Sequence, residues 1–162
     1  FKDKQGGLVV DYIGIGNELK AAMKEYTASQ GRGKPTVDAH EALVLLLDQI
    51  PRNIFRGSGH AFATDPLALH FAGRAIEAGF DVQAEPALRF FFYLPFEHSE
   101  AMADQQHAVE LFTALGDAEL LGYAVAHRDV IARFGRFPHR NAALGRVNTP
   151  REQAWLDAGG GF

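Results

Sequence analysis

The joint Leu115-Gly116-Asp117 leaves this chain less freedom than any other point in it. Before it, Met102, Val109, Phe112 and Leu115 face inward in a helix that Ser99 can cap, and Gly116 ends that helix. After it, Asp117 is a natural N-cap and opens a second helical segment, Ala118 to Phe134, which Gly135 stops. Two helices separated by so little chain must fold back on each other as an antiparallel hairpin.

The same punctuation recurs along the chain. The middle of the first segment, Asn17 to Ser29, reads as helical, with Asn17 as its cap. Asp38 to Ile50 reads as a well-buried helix that stops before Pro51, because a residue preceding proline avoids helical angles. Thr64-Asp65-Pro66 has the form of a helix start, with Thr64 as the capping side chain and Gly79 as the stop. A further helix is expected from about Glu85, with Leu88, Phe91, Phe92 and Leu94 inward, until Pro95 breaks it. Thr149-Pro150-Arg151-Glu152 matches a capping box that opens a short last helix, and Gly159 to Gly161 should fray. No stretch alternates apolar and polar residues as a half-buried strand does. The reading is all-α, a single domain of antiparallel helical hairpins over residues 37–158, with the glycine-punctuated residues 1–36 part of the same domain.

Composition removes several functions. There is no cysteine, so disulfides, thiolate metal sites and a cysteine nucleophile are excluded. The longest uncharged apolar run, Ala42 to Leu47, is far short of a membrane span, and no leader sequence is visible. A cytoplasmic protein is therefore expected, with no membrane association. The chain opens on Phe1 rather than Met, which leaves room for a preceding piece. A net charge of −4 argues against general nucleic-acid binding. The GIG at Gly14 to Gly16 lacks the rest of a dinucleotide fingerprint, and no serine-hydrolase elbow, Walker loop or HExxH pattern exists. Neither a cofactor nor a metal is expected.

Against that acidic background, His127 to Arg151 holds six arginines and two histidines with one acidic residue, Asp129. Every cation after Lys34 is an arginine, the side chain suited to bidentate or stacked contacts. Three polar blocks sit at helix ends beside aromatics: Asp48, Gln49, Arg52, Asn53 and Arg56; Glu97, His98, Ser99 and Glu100; and His127, Arg128, Arg136, His139, Arg140 and Asn141. Their convergence on one rim of the helical array would form a pocket for a small anionic or carboxylate-bearing ligand. Arg52, Arg136 and Arg140 would hold it, Asn53 and Asn141 would orient it, and His98 or His127, with Glu97, would exchange a proton if chemistry occurs. Two other readings of the same residues stand beside this one. The blocks can be structural networks that satisfy buried helix ends, with His127 a core histidine and Asp48–Arg52 a loop-fixing pair. The stacked hairpins can also present a surface to a protein partner.

The blocks LLLDQIPRNIFRG (Leu45 to Gly57), AFATD (Ala61 to Asp65), FYLPFEHSE (Phe92 to Glu100), HRDVIARFGRFPHRNAALGR (His127 to Arg146) and the closing TPREQAWL resemble the signature of the bacterial domain-of-unknown-function family 924. The resemblance implies an all-α fold related to tetratricopeptide-repeat-like arrays, and no established activity. Where members of that family often carry an acidic residue after FYLPFEHSE, this chain has Ala101.

Overall fold

Proline inside a helix normally ends it, yet in the computed structural model the first of the described helices runs through Pro51. The structure describes residues 38–162, with side chains from Leu43 onward; the helix expected at Asn17 to Ser29 lies outside this range. Helix α1 spans Asp38–Ile54. Pro51 lacks the N–H that would bond the Leu47 carbonyl, so that acceptor is orphaned. Thr64 fills the gap: its hydroxyl donates to Leu47 O at 2.5 Å. This overturns the expected stop before Pro51 and explains a second difference. Thr64 occupies the N-cap of α2 (Asp65–Glu77) but makes no side-chain cap bond there, because its hydroxyl serves α1.

The segment after α2 also departs from expectation. In place of one helix from Glu85, the chain forms α3 (Phe80–Gln83), a 3₁₀ turn (Arg89–Phe92) and α4 (Leu94–Glu97). Pro95 sits in the first turn of α4, where a missing N–H has no consequence, so it starts a helix rather than breaking one. Phe92 and Tyr93 are buried, and the Tyr93 hydroxyl donates to Asp81 Oδ2 at 2.8 Å.

Helix α5 covers Met102–Leu115, with Ala101 rather than Ser99 at the N-cap. The Ser99 hydroxyl instead donates to Asp104 Oδ2 at 2.6 Å and accepts from Ala101 N–H. Gly116 adopts φ 82°, a left-handed angle, and Asp117 accepts from the N–H groups of Glu119 and Leu120, so α6 (Ala118–Phe134) folds back on α5 as the joint required. The last helix, α7 (Pro150–Asp157), has the full capping box between Thr149 and Glu152. Beyond it, Gly160 N–H bonds Trp155 O, and the Phe162 ring stacks on His127.

All the secondary structure among the described residues is helical. The most extensive packing is α5 on α6 and α1 on α2. Ala68, Ala72, Ala108 and Ala124 are fully buried, which lets helices approach closely around Phe92 and Phe112. Short α4 lies against α1, α2, α5 and α6. Its C-terminal end therefore places Glu97 and His98 where four helices meet.

Candidate functional site

Asp48 and Arg52 lie one turn apart on α1, at the end where α2 and α4 join it. Arg52 donates to Asp48 Oδ1 through Nε at 3.2 Å and Nη2 at 3.0 Å, and through Nη2 to Asp65 Oδ2 on α2 at 2.9 Å. His98, just after α4, sets Nδ1 2.7 Å from the same Asp48 Oδ1. A carboxylate cannot donate, so Nδ1 carries the proton and Nε2 keeps its lone pair.

The second contribution comes from the chain after α6. Phe137 is fully buried, its N–H donates to Glu100 Oε1 at 2.9 Å, and a 3₁₀ turn (Pro138–Arg140) follows. That turn delivers Arg140, whose guanidinium lies against the rings of Phe137 (4.3 Å) and Phe62 (4.9 Å). Arg140 Nη1 donates to the His98 carbonyl at 2.9 Å and lies 3.5 Å from Asp65 Oδ2. Gln105, fully buried on α5, donates to the carbonyls of Glu97 and Ser99, so the end of α4 is held from two sides.

Behind His98 lies a second carboxyl–imidazole pair. His127 Nδ1 is 2.9 Å from Tyr123 O and 3.1 Å from Glu97 Oε1. The carbonyl again assigns the proton to Nδ1. Burial pushes the His127 imidazole down to about 3, helped by the charge of Arg140 and the two neighbouring histidines. Burial pushes Glu97 up to about 7, with the Asp48 charge adding to it. His98 is lowered as well, because burial and the charges of Arg52 and Arg140 outweigh the attraction of Asp48. Burial alone would raise Asp48, but His98, Arg52 and Gln49 hold it well below the usual carboxylate range. At neutral pH the inner pair is thus an Asp48 carboxylate with a neutral His98. Burial lowers Arg140 to about 10, Arg52 adding to it, and the side chain stays cationic.

His98 and Arg140 border a half-open cleft of about 330 Å³. Asp65, His98, Ser99, Glu100, Arg140 and Arg146 give it polar lining; Phe62, Pro66, Leu69, Pro95 and Leu144 give the apolar part. Arg146 is bidentate to Glu100, with both bonds at 2.9 Å. Five buried side-chain atoms lack a partner among the described residues, and two of them, Arg140 Nε and Asp65 Oδ1, belong to cleft-lining residues. The other three are on Gln105, His139 and Asn141. Among the described residues no group of His, Asp or Glu side chains is arranged to hold a metal ion.

Of the residues singled out from sequence, Asp48, Arg52, Glu97, His98, His127 and Arg140 come together. His139 is close behind, its ring 5.5 Å from Phe137, and burial with the Arg140 charge takes it down to about 4. Four others go elsewhere. Asn53 donates to Gln49 O within α1. Arg128 bonds its exposed neighbour Asp129. Arg136 is bidentate to Glu152 and also donates to Val147 O, tying α7 to the loop before it. Asn141 is fully buried and donates to Asn148 Oδ1. Sequence reasoning missed Asp65, Arg146 and Gln105, and named Glu100 in a polar block without giving it a role. Asp65 was absorbed into a helix-start signal, although AFATD stood among the blocks that carry the family resemblance; nothing in the pattern pointed to Gln105.

A family model described as a bacterial protein of unknown function (DUF924) matches residues 15–160. The solved structure of a protein of unknown function from Agrobacterium tumefaciens is similar over 86% of this chain and 77% of that one, with 46% identity and a TM-score of 0.73. A stretch of 47 residues is 38% identical to part of the Type I restriction enzyme HindI endonuclease subunit of Haemophilus influenzae, covering 29% of this chain and 4% of that protein. The chain therefore spans a small fraction of that relative's length. No helix among the described residues is long and apolar enough to cross a membrane.

Proposed function

The chain belongs to the DUF924 family, and from that premise we propose that it binds a small amino or hydroxy acid in the cleft beside Arg140. One observation carries the reading. The cleft lining contains a buried guanidinium whose Nε lacks an acceptor and a carboxylate whose Oδ1 lacks a donor. A buried, unmatched polar atom is costly, and a ligand bearing a carboxylate and a neighbouring donor would draw both side chains toward the cleft and satisfy them there. The ionic lining is balanced, Arg140 and Arg146 against Asp65 and Glu100, which favours a singly charged or zwitterionic acid over a polyphosphate. A volume of about 330 Å³ fits a small molecule.

A thermal-shift series with L-serine, L-lactate, inorganic phosphate and ATP tests this. Ligand at about 100 times its Kd contributes roughly 2.7 kcal/mol, a rise of about 5–10 °C for a domain of this size. Serine or lactate should give such a rise, phosphate and ATP much less, and Arg140→Gln should remove it. Asp65→Asn should weaken the response while leaving Arg140 in place. If no acid raises the Tm, or Arg140→Gln responds like the wild type, the reading fails.

A further inference from the structure

We propose that the Asp48–His98 pair is the general base of this cleft, and that the molecule it serves is an ester carried on the side chain of a small amino acid. The inference rests on the binding reading above and adds a reaction to it. Asp48 is 1% exposed, and its Oδ1 lies 2.7 Å from His98 Nδ1. This fixes the tautomer and orientation of the ring, leaving Nε2 as its proton-accepting atom, and His98 is among the residues that line the cleft. Arg140 grips the His98 carbonyl at 2.9 Å, so the residue that would anchor a ligand carboxylate also fixes the backbone of the base.

The cleft offers no protein nucleophile for that base. Ser99 is the hydroxyl-bearing residue of the lining, and its Oγ is engaged with Asp104 and the Ala101 N–H. The chain has no cysteine. The proton that His98 accepts is therefore one from water. The Arg146 guanidinium, in the same lining, has donors left over after its two bonds to Glu100, and these suit a developing oxyanion. A base, a water and a cation suffice for ester hydrolysis. As the water oxygen bonds to the ester carbonyl carbon, its proton moves to His98 Nε2 and the carbonyl electron pair moves onto oxygen. When the intermediate collapses, the bond from carbon to the alkoxide oxygen breaks and Nε2 returns the proton to that oxygen. The products are a carboxylic acid and the free hydroxy amino acid. Asp48 acts as a positioning residue.

O-acetyl-L-serine is the probe, with ethyl acetate as the ester that has neither carboxylate nor ammonium, and acetate release is followed by NMR at neutral pH. The wild type should release acetate from O-acetylserine and leave ethyl acetate at background. His98→Gln should lower kcat by about 100-fold or more, the usual scale of a lost general base, while the serine-induced Tm rise persists. Asp48→Asn should lower kcat with KM nearly unchanged, which loss of a purely structural bond would not do. Should either variant fail to fold, a solvent deuterium isotope effect on wild-type kcat reads the same proton transfer. Acetate release unchanged in His98→Gln, no isotope effect, or no release from a protein whose Tm serine still raises would overturn the general base and leave the binding reading standing. Loss of both the Tm rise and the release overturns both.

Discussion

Arg140 is a cation held where water barely reaches it, 6% exposed between aromatic rings and paired only in part. Burial, with the Arg140 charge adding to it, pushes three nearby imidazoles toward neutrality, and burial with the Asp48 charge pushes Glu97 up to about 7. Glu97 therefore sets a pH dependence of known sign. Below pH 4.5 its carboxyl is protonated whether the chain is folded or not, and its contribution to stability is whole. As pH rises toward 7 the unfolded chain ionises it freely while the fold resists, so stability falls. The change from 4.5 to about 7 sets an upper limit of about 3 kcal/mol. Denaturant titrations between pH 4.5 and 8 should show Glu97→Gln gaining on the wild type as pH rises, up to a few kcal/mol, and parallel profiles would refute the assignment. Periodicity alone placed His127 on the buried face of its helix. What it could not show was Glu97 arriving from a four-residue helix, because that contact depends on how α4 is wedged among its neighbours.

Helix boundaries separate what local chemistry determines from what the tertiary fold determines. The Asp117 cap, the Gly116 and Gly135 stops and the Thr149–Glu152 box depend on bonds within a few residues, and each forms where the side chains demand it. Pro51 and Thr64 behave otherwise, because the partner that rescues the Leu47 carbonyl is supplied from across a loop. Thr64→Val should cost about 1–2 kcal/mol by leaving that carbonyl unmatched. Pro51→Ala restores an N–H in register, so in that background the same Thr64 change should cost much less. A double-mutant cycle by denaturation measures the difference, and additive effects would contradict this account. Helix α7 makes a parallel case. Arg136, expected in a pocket, holds Glu152, whose carboxyl is pushed down to about 2 by the Arg136 bond and by the Thr149 N–H. Arg136→Met should speed hydrogen exchange of the α7 amides and leave the cleft's response to serine unchanged. Loss of that response would place Arg136 in the site after all.

Among the described residues, four of the six arginines in the basic stretch that dominates the sequence meet carboxylates, three of them brought from other segments. Arg140 faces Asp65, Arg146 meets Glu100 and Arg136 meets Glu152, while Arg128 takes its own neighbour. A run of arginines looks like an anion surface until the fold supplies its partners, which is why the helical class was legible and the charge of the site was not. With these pairs formed and a net charge of −4, the protein should pass through a heparin column at low salt, and retention needing high salt to release would contradict the pairing. Beside the cleft, Arg140 Nε and Asp65 Oδ1 stay unmatched, and His98, its ring oriented by Asp48, belongs to the same lining. The most direct test is the Nε–H resonance of Arg140 in a ¹⁵N spectrum during titration with L-serine. It should shift with saturation, as a donor that gains an acceptor does, and Asp65→Asn should weaken the midpoint. An Arg140 resonance that stays fixed while other arginine signals move would contradict the site.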